Sequence, residues 1–424
     1  MHCLKVQDFS CIKSAEISVA RLTLLIGPQA SGKSVLSKLI YFFIEIFDRQ
    51  LRAVEEGNGL PEFKESIAAE FSRWFPSEAW GKNKFSITYT VGDFQIKFIR
   101  STYGRKVSDT LRITMSKAFT SFYEDTAREY AALRQRNIAK NRADEYELQF
   151  KFREERRVIL QAILGENEYI SDQTFIPAGR AFFTSLGRVF AAFDGNNMLD
   201  PITTRFGRLY TSYRDPRFYY PRSHRNGPWE KSLYKLLGGV PKRKGESEVV
   251  ELDDGRLVPF SALSSGQQEL LPLITLLESS VNVFWDDAKA GSNLLYIEEP
   301  EAHLFPRSQS TIVELLVQLL RNDETRASLF LTTHSPYVLS KINALIKAGV
   351  LGTSSEEYFD KVNAITPENT WLLPGDVGAY AIMDGVVKNI IDGDGFVDSE
   401  YLDAISGEIE SEYSALLAVE WQDD

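Results

Sequence analysis

Residues 22 to 34 read Leu22-Thr-Leu-Leu-Ile26 and then Gly27-Pro28-Gln29-Ala30-Ser31-Gly32-Lys33-Ser34. The opening run is apolar and has the length of a buried strand. The remainder fits the pattern G-x-x-x-x-G-K-[ST]. Beyond it Val35, Leu36, Leu39, Ile40 and Phe43 recur at helical spacing, so the order is strand, glycine loop, helix. Glycines let a backbone wrap a phosphate chain, and a helix N-terminus offers free N–H groups with a partial positive charge. In this pattern Gly27, Ser31 and Gly32 shape the cradle, Lys33 reaches the β- and γ-phosphates of a nucleotide, and Ser34 ligates Mg²⁺. ATP and Mg²⁺ are therefore the expected ligands.

Further motifs follow in order. Leu263-Ser264-Ser265-Gly266-Gln267 precedes the apolar stretch Glu269-Leu-Leu-Pro-Leu-Ile-Thr-Leu-Leu277, which reads as a helix. Asn293-Leu-Leu-Tyr-Ile297 reads as a buried strand that delivers Glu298 and Glu299 at its end. Ser328-Leu-Phe-Leu331 is a short apolar strand before Thr332-Thr333-His334-Ser335-Pro336. Taken singly, the first of these is equally a polar turn at a helix N-cap, and a single histidine is usually structural.

Leu263 to Gln267 is similar to the L-S-G-G-Q signature of ABC ATPases, with Ser265 in place of the first glycine. The Ile297-Glu-Glu-Pro-Glu-Ala-His-Leu304 segment resembles the overcoming-lysogenization-defect (OLD), RecF-like group of AAA-type, SMC-related bacterial ATPases, found in anti-phage defence modules. Glu298 stands where many ABC proteins carry Asp. The resemblance implies an α/β fold: an ABC-ATPase P-loop core, with a mixed sheet flanked by helices, an antiparallel β subdomain and a helical insertion. It also implies an ATP site divided between two copies, with Lys33, Ser34, Glu298, Glu299 and His334 on one and the signature residues Ser265, Gly266 and Gln267 on the other. In that scheme Glu298 holds the Mg²⁺ shell, Glu299 polarises the attacking water and His334 contacts the γ-phosphate. Gln173, rather than Gln95, is the candidate Q-loop glutamine. Phe175-Ile-Pro-Ala-Gly-Arg180 resembles the I-P-A-x-R element of OLD-like ATPases, where Arg180 would contact nucleotide or a partner subunit; a plain strand end is equally open.

The rest of the chain is organised around this core. Residues 1–115 form the first ATPase lobe, with Leu4 to Phe9 alternating like an edge strand and a hairpin turning at Gly92-Asp93. Residues 116–245 hold a helical, charged insertion followed by a basic segment, residues 246–340 the second lobe, and residues 341–424 an acidic helical tail docked on the core. Between 204 and 244 there are eleven Lys/Arg against two acids, with Tyr210, Tyr213, Tyr219 and Tyr220 among them. Pro, Gly and Arg make the segment read as irregular, suited to DNA backbone contact with base stacking, and equally to a protein contact or a solvated face. From Asp384 onward there are twelve acids and one base, Lys388, and Tyr401 to Leu416 has the pattern of an amphipathic helix.

Composition narrows the function classes. The 424-residue chain carries a net charge of −11, which argues against coating nucleic acid with its whole surface. No apolar run is long enough to span a bilayer and no secretory segment is present, so a cytoplasmic, non-membrane protein is expected. Cys3 and Cys11 read as buried hydrophobes rather than a metal pair. Asp392-Gly-Asp-Gly395 reads as a turn, since no Toprim nuclease pattern precedes it, and no histidine has the spacing of a HEPN or H-N-H nuclease. The expected function is an ATPase that dimerises around two ATP, the sensor or scaffold subunit of an anti-phage defence system that controls a separately encoded nuclease or toxin. The alternative is a RecF-like DNA-repair or DNA-end-binding ATPase.

Overall fold

The computed structural model describes residues 1–103, 106–136, 142–166, 168–186, 199–214, 227–245, 247–284, 291–322, 325–398 and 411–414. Strands β1 (Cys3–Phe9), β2 (Ile12–Ser18) and β3 (Leu22–Ile26) lead into helices α1 (Lys33–Glu55) and α2 (Leu60–Trp74). A meander of β4 (Ser86–Val91), β5 (Phe94–Tyr103) and β6 (Lys106–Met115) precedes α3 (Lys117–Arg136) and α4 (Arg142–Leu164). Next come β7 (Ile170–Ile176), α5 (Ala181–Leu186), α6 (Pro201–Arg214), α7 (Pro228–Leu237), β8 (Gly239–Lys244), β9 (Ser247–Leu252) and β10 (Leu257–Pro259). The remainder is α8 (Ser265–Phe284), β11 (Ser292–Glu298), α9 (Pro306–Arg321), β12 (Ala327–Thr333), α10 (Pro336–Gly352), α11 (Glu356–Ile365), β13 (Val377–Met383) and β14 (Val386–Asn389).

Eleven strands form one sheet in the order β6-β5-β4-β1-β2-β14-β13-β3-β12-β11-β7, and β10-β9-β8 form a second, small sheet. The large sheet has two characters. From β6 to β2 every pairing is antiparallel; from β13 to β7 every pairing is parallel. Parallel strands need cover on both faces, and the side chains divide accordingly. Leu25, Leu294, Tyr296 and Phe330 point into one core with α1, while Leu24, Ile26, Leu295, Ile297, Leu329 and Leu331 point into another with α8, α9 and α10. Five consecutive apolar or small residues in β3 are thus split between two cores by the period-two pleat.

Several expectations change. Leu4 to Phe9 is interior, because β1 pairs with both β2 and β4. Cys11 is exposed and Cys3 partly so, not buried. The basic segment is largely regular, occupying α6, α7 and β8, while residues 215–226 lie outside the described residues. Residues 341–424 were expected as a helical tail; most of α10 and all of α11 lie there, but so do β13 and β14, which complete the central sheet beside β3 and β2. The amphipathic pattern from Tyr401 to Leu416 lies outside the described residues except for 411–414, which are helical and exposed. The Asp392–Gly395 turn is present, with the Asp392 side chain accepting the N–H groups of Asp394 and Phe396. Among the described residues no helix is long and apolar enough to cross a membrane.

Candidate nucleotide-binding site

The site assembles where three adjacent parallel strands end. Ile26 pairs with Thr333, and Thr332 with Glu298, so the glycine loop, His334 and Glu299 leave the sheet side by side. The loop is built for close approach. Gly32 has φ 104°, and a Cβ there would stand 2.5 Å from Ile12 Cδ1 and 2.8 Å from Cys11 Sγ. No side chain caps the N-terminus of α1, which leaves its first N–H groups facing the loop.

Lys33 is buried, and its ammonium donates to Gly27 O and Pro28 O, both at 2.9 Å, and to His334 Nε2 at 2.9 Å. Glu299 Oε1 lies 3.2 Å from the same nitrogen. One imidazole nitrogen cannot accept from Lys33 and donate to Glu299 together. The position of the imidazole proton therefore selects one contact or the other. Burial lowers the Lys33 pKa, opposed by the nearby charges of Glu299, Glu298 and Glu301.

The two acids of the strand end are placed differently. Glu298 is buried, with Oε2 accepting the Ala178 N–H and Oε1 without a partner. Glu299 is about one-third exposed (36%) and adopts φ 46°, a left-handed conformation that non-glycine residues seldom take. Its N–H donates to Thr332 O and so locks it to the neighbouring strand. His334 is fixed from the other side, where Ser335 caps α10 by accepting the N–H groups of Tyr337 and Val338.

The residues present suit Mg²⁺-nucleotide. Glu298 Oε1 and Ser31 Oγ are buried oxygens with no protein partner, and Ser34 presents an exposed hydroxyl at the second position of α1. Among the described residues no cluster of three or more His, Cys, Asp or Glu side chains could hold a metal by itself. A cation bound by one acid, one hydroxyl and substrate phosphates fits that donor set.

Ser265 is exposed at the start of α8, and a Cβ on Gly266 would stand 2.9 Å from His303 O, so glycine is required there. Gln267 forms a capping box with Ser264: its Oε1 accepts from Ser264 N and Oγ, and its Nε2 donates to Leu237 O. These bonds hold Gln267 within the signature turn. Gln173 is held between Tyr41 O and the Tyr296 hydroxyl. Arg180 has no surface from which to touch nucleotide or partner, since it is fully buried beneath the strand end.

Glu301 carries a part that its sequence position did not reveal. Buried at 7% exposure, it accepts the Thr333 hydroxyl and the His334 N–H on Oε1, while Oε2 has no partner. The only signal was a third acid in Glu-Glu-Pro-Glu. Burial raises its pKa above the glutamate value of 4.5, against the bonds from Thr333 and His334. A carboxyl pKa raised by folding contributes stability below the ordinary value and loses it as pH rises through the folded-state value. Glu301→Gln keeps the acceptor and removes the charge. Its Tm relative to the parent is therefore expected to rise from about pH 4.5 toward neutrality, and parallel Tm curves would reject a buried, costly carboxylate.

A phosphate loop facing two acids and a histidine across adjacent parallel strands, with an antiparallel flank, defines an ABC-like P-loop ATPase fold. The chain belongs to the family described as "AAA domain, putative AbiEii toxin, Type IV TA system", whose model matches residues 22–340. No match is found among curated proteins. Among solved structures it is similar to an SMC head domain from Thermotoga maritima, with 10% identity over 92% of this chain and 97% of that one and a TM-score of 0.37. It is also similar to an Smc head bound to the C-winged helix domain of ScpA, with 13% identity, coverage of 92% and 96% and a TM-score of 0.38. A third is the ATP-binding cassette MJ0796 in a dimeric post-hydrolysis state with ADP and Pi, with 9% identity, coverage of 91% and 96% and a TM-score of 0.32. Similarities this distant do not carry the assignment.

Proposed function

We propose that the protein is an ATP-hydrolysing switch, two copies of which close on two ATP molecules. The observation that carries this reading is the meeting of Lys33, His334 and Glu299 within 2.9 and 3.2 Å, although they come from α1 and from the ends of β12 and β11. Bound Mg²⁺ would supply the positive charge that phosphoryl transfer to water needs. The loop and the α1 N-terminus hold the phosphates, and Ser34 and Glu298 hold the cation. When Lys33 donates to phosphate instead of to His334, Nε2 of the imidazole is released to face Glu299 or the γ-phosphate. Glu299, partly open to solvent, orients the attacking water. Ser265 and Gly266, at the start of α8, complete the site of the second copy.

Light scattering tests the two-copy site. Glu299→Gln with ATP and Mg²⁺ is expected to run as a dimer, whereas Ser265→Arg should bind ATP and stay monomeric. ATP-dependent dimers of Ser265→Arg would reject the arrangement.

In the cell we read the switch as the sensor or scaffold subunit of an anti-phage defence system, cytoplasmic, and gating a separate nuclease or toxin. The family description, with its toxin and type IV system, supports a module of this kind. The RecF-like reading is weakened by its own main feature, the basic segment. Arg205 pairs with Glu45, Arg214 with Glu248 and Lys242 with Glu251, which leaves less charge for DNA phosphates. Co-purification of Glu299→Gln with ATP from the native host distinguishes the two. A stoichiometric effector supports the defence reading, and DNA alone supports the RecF-like one.

A further inference from the structure

We infer that Arg180 is the positioning residue through which the signature helix sets the hydrolytic carboxylates, so that Glu299 of one copy responds to what Ser265 and Gly266 of the same copy meet on the other. The inference rests on the two-copy site proposed above.

The geometry is a single buried junction. Strand β7 stays paired with β11 up to Ile176 and Ile297, and then turns away at Pro177. The carbonyls that follow on β11 would lose their partner on that side. Arg180 returns to supply one: Nη1 donates to Glu298 O at 2.7 Å and to Pro177 O at 3.2 Å, and Nη2 donates to Glu299 O at 3.1 Å. The guanidinium thereby grips the peptide of Glu299, the residue held at φ 46°. A left-handed non-glycine residue costs roughly 1–3 kcal/mol and persists only where its surroundings impose it.

The other end of Arg180 belongs to α8. Its Nε donates to Glu269 O at 3.3 Å, its own N–H donates to Glu269 Oε2 at 3.0 Å, and the Ala181 N–H donates to Glu269 Oε1 at 3.2 Å. Glu269 lies one helical turn beyond Ser265 on α8. The same turn of chain also donates the Ala178 N–H to Glu298 Oε2. A shift of α8 at its exposed tip therefore reaches both acids through one side chain. Lysine could not replace it, since a point ammonium cannot span carbonyls on two elements as a planar fork does. Both partners are essentially excluded from water, with side chains 1% and 5% exposed, so the junction transmits displacement rather than absorbing it.

Arg180→Lys and Glu269→Gln test this, with kcat, KM and binding of a fluorescent ATP analogue measured on folded protein. In both, kcat is expected to fall by about 100-fold, the loss that follows a misplacement of about 1 Å, while analogue affinity stays within about threefold of the parent. The double variant should lose no more than either single variant, and Ser265→Ala should lower kcat by a clearly smaller factor in Arg180→Lys than in the parent. Parallel loss of affinity and kcat, additive losses, or parent-like kcat would overturn the role. If Arg180→Lys does not fold, Glu269→Gln alone decides, since it keeps the side-chain shape. A parent without ATPase activity would overturn the hydrolytic reading itself, an outcome distinct from parent-like variants.

Discussion

Glu299→Gln is expected to bind ATP as the parent does and to hydrolyse it on the order of 10²–10⁴-fold more slowly, the range for loss of a positioned general base. The substitution keeps the side-chain length and leaves the backbone bond to Thr332 O and the Arg180 contact to Glu299 O untouched. What it removes is an acceptor able to take the proton of water, 3.2 Å from His334 Nε2. Glu298, buried and accepting the Ala178 N–H, is untouched and would still hold the cation in the proposed scheme. The signature of this role is a fall in kcat without a rise in KM, read in single-turnover and steady-state assays. Parent-like turnover would reassign the base; a large loss of affinity would make Glu299 part of the nucleotide cradle.

Lys33→Ala should lose nucleotide affinity by about 100-fold or more, since a charge-assisted hydrogen bond to phosphate is worth about 1.5–3 kcal/mol before the lost charge itself is counted. In the protein this ammonium is already directed at the loop, with donors to Gly27 O and Pro28 O. Its removal also leaves Glu298, Glu299 and Glu301 without the cation whose charge they share. The apolar face of α1 is unchanged, so the variant should fold. Equilibrium binding of labelled ATP with circular dichroism separates the two effects, and retained affinity would remove Lys33 from the cradle.

What could be read from the sequence was whatever a short window contains. Strand β3, its loop and α1 announce themselves because apolar period and glycine pattern change over within a few residues. Strands β11 and β12 did likewise, each a buried run ending in polar chemistry. Strand β13 was missed because Val377-Gly-Ala-Tyr-Ala-Ile-Met383 is short and carries a glycine, and its partner β3 lies at the other end of the chain. Arg180 read equally as a contact to nucleotide or a partner subunit and as a plain strand end, and only tertiary context shows it buried against Glu269 and two carbonyls. The tyrosine and arginine mixture near residue 210 read as DNA contact with base stacking or equally as a protein contact or solvated face. In the fold Tyr210 is in the core, and Arg214 lies over its ring while pairing with Glu248.

The late strands also set an order of events during synthesis. Strand β13 pairs with β3 along Val377 to Ala381, and β14 joins that pair to β2, so the two halves of the large sheet meet through residues that leave the ribosome long after β2 and β3 do. Even the phosphate loop waits for them, since Ile382 packs against Gly27. A nascent chain can carry the complete loop, both acids and the histidine and still lack the strand beside the loop. Contacts this distant in sequence form slowly. Completion of the sheet beside the loop is thereby tied to synthesis of β13 and β14.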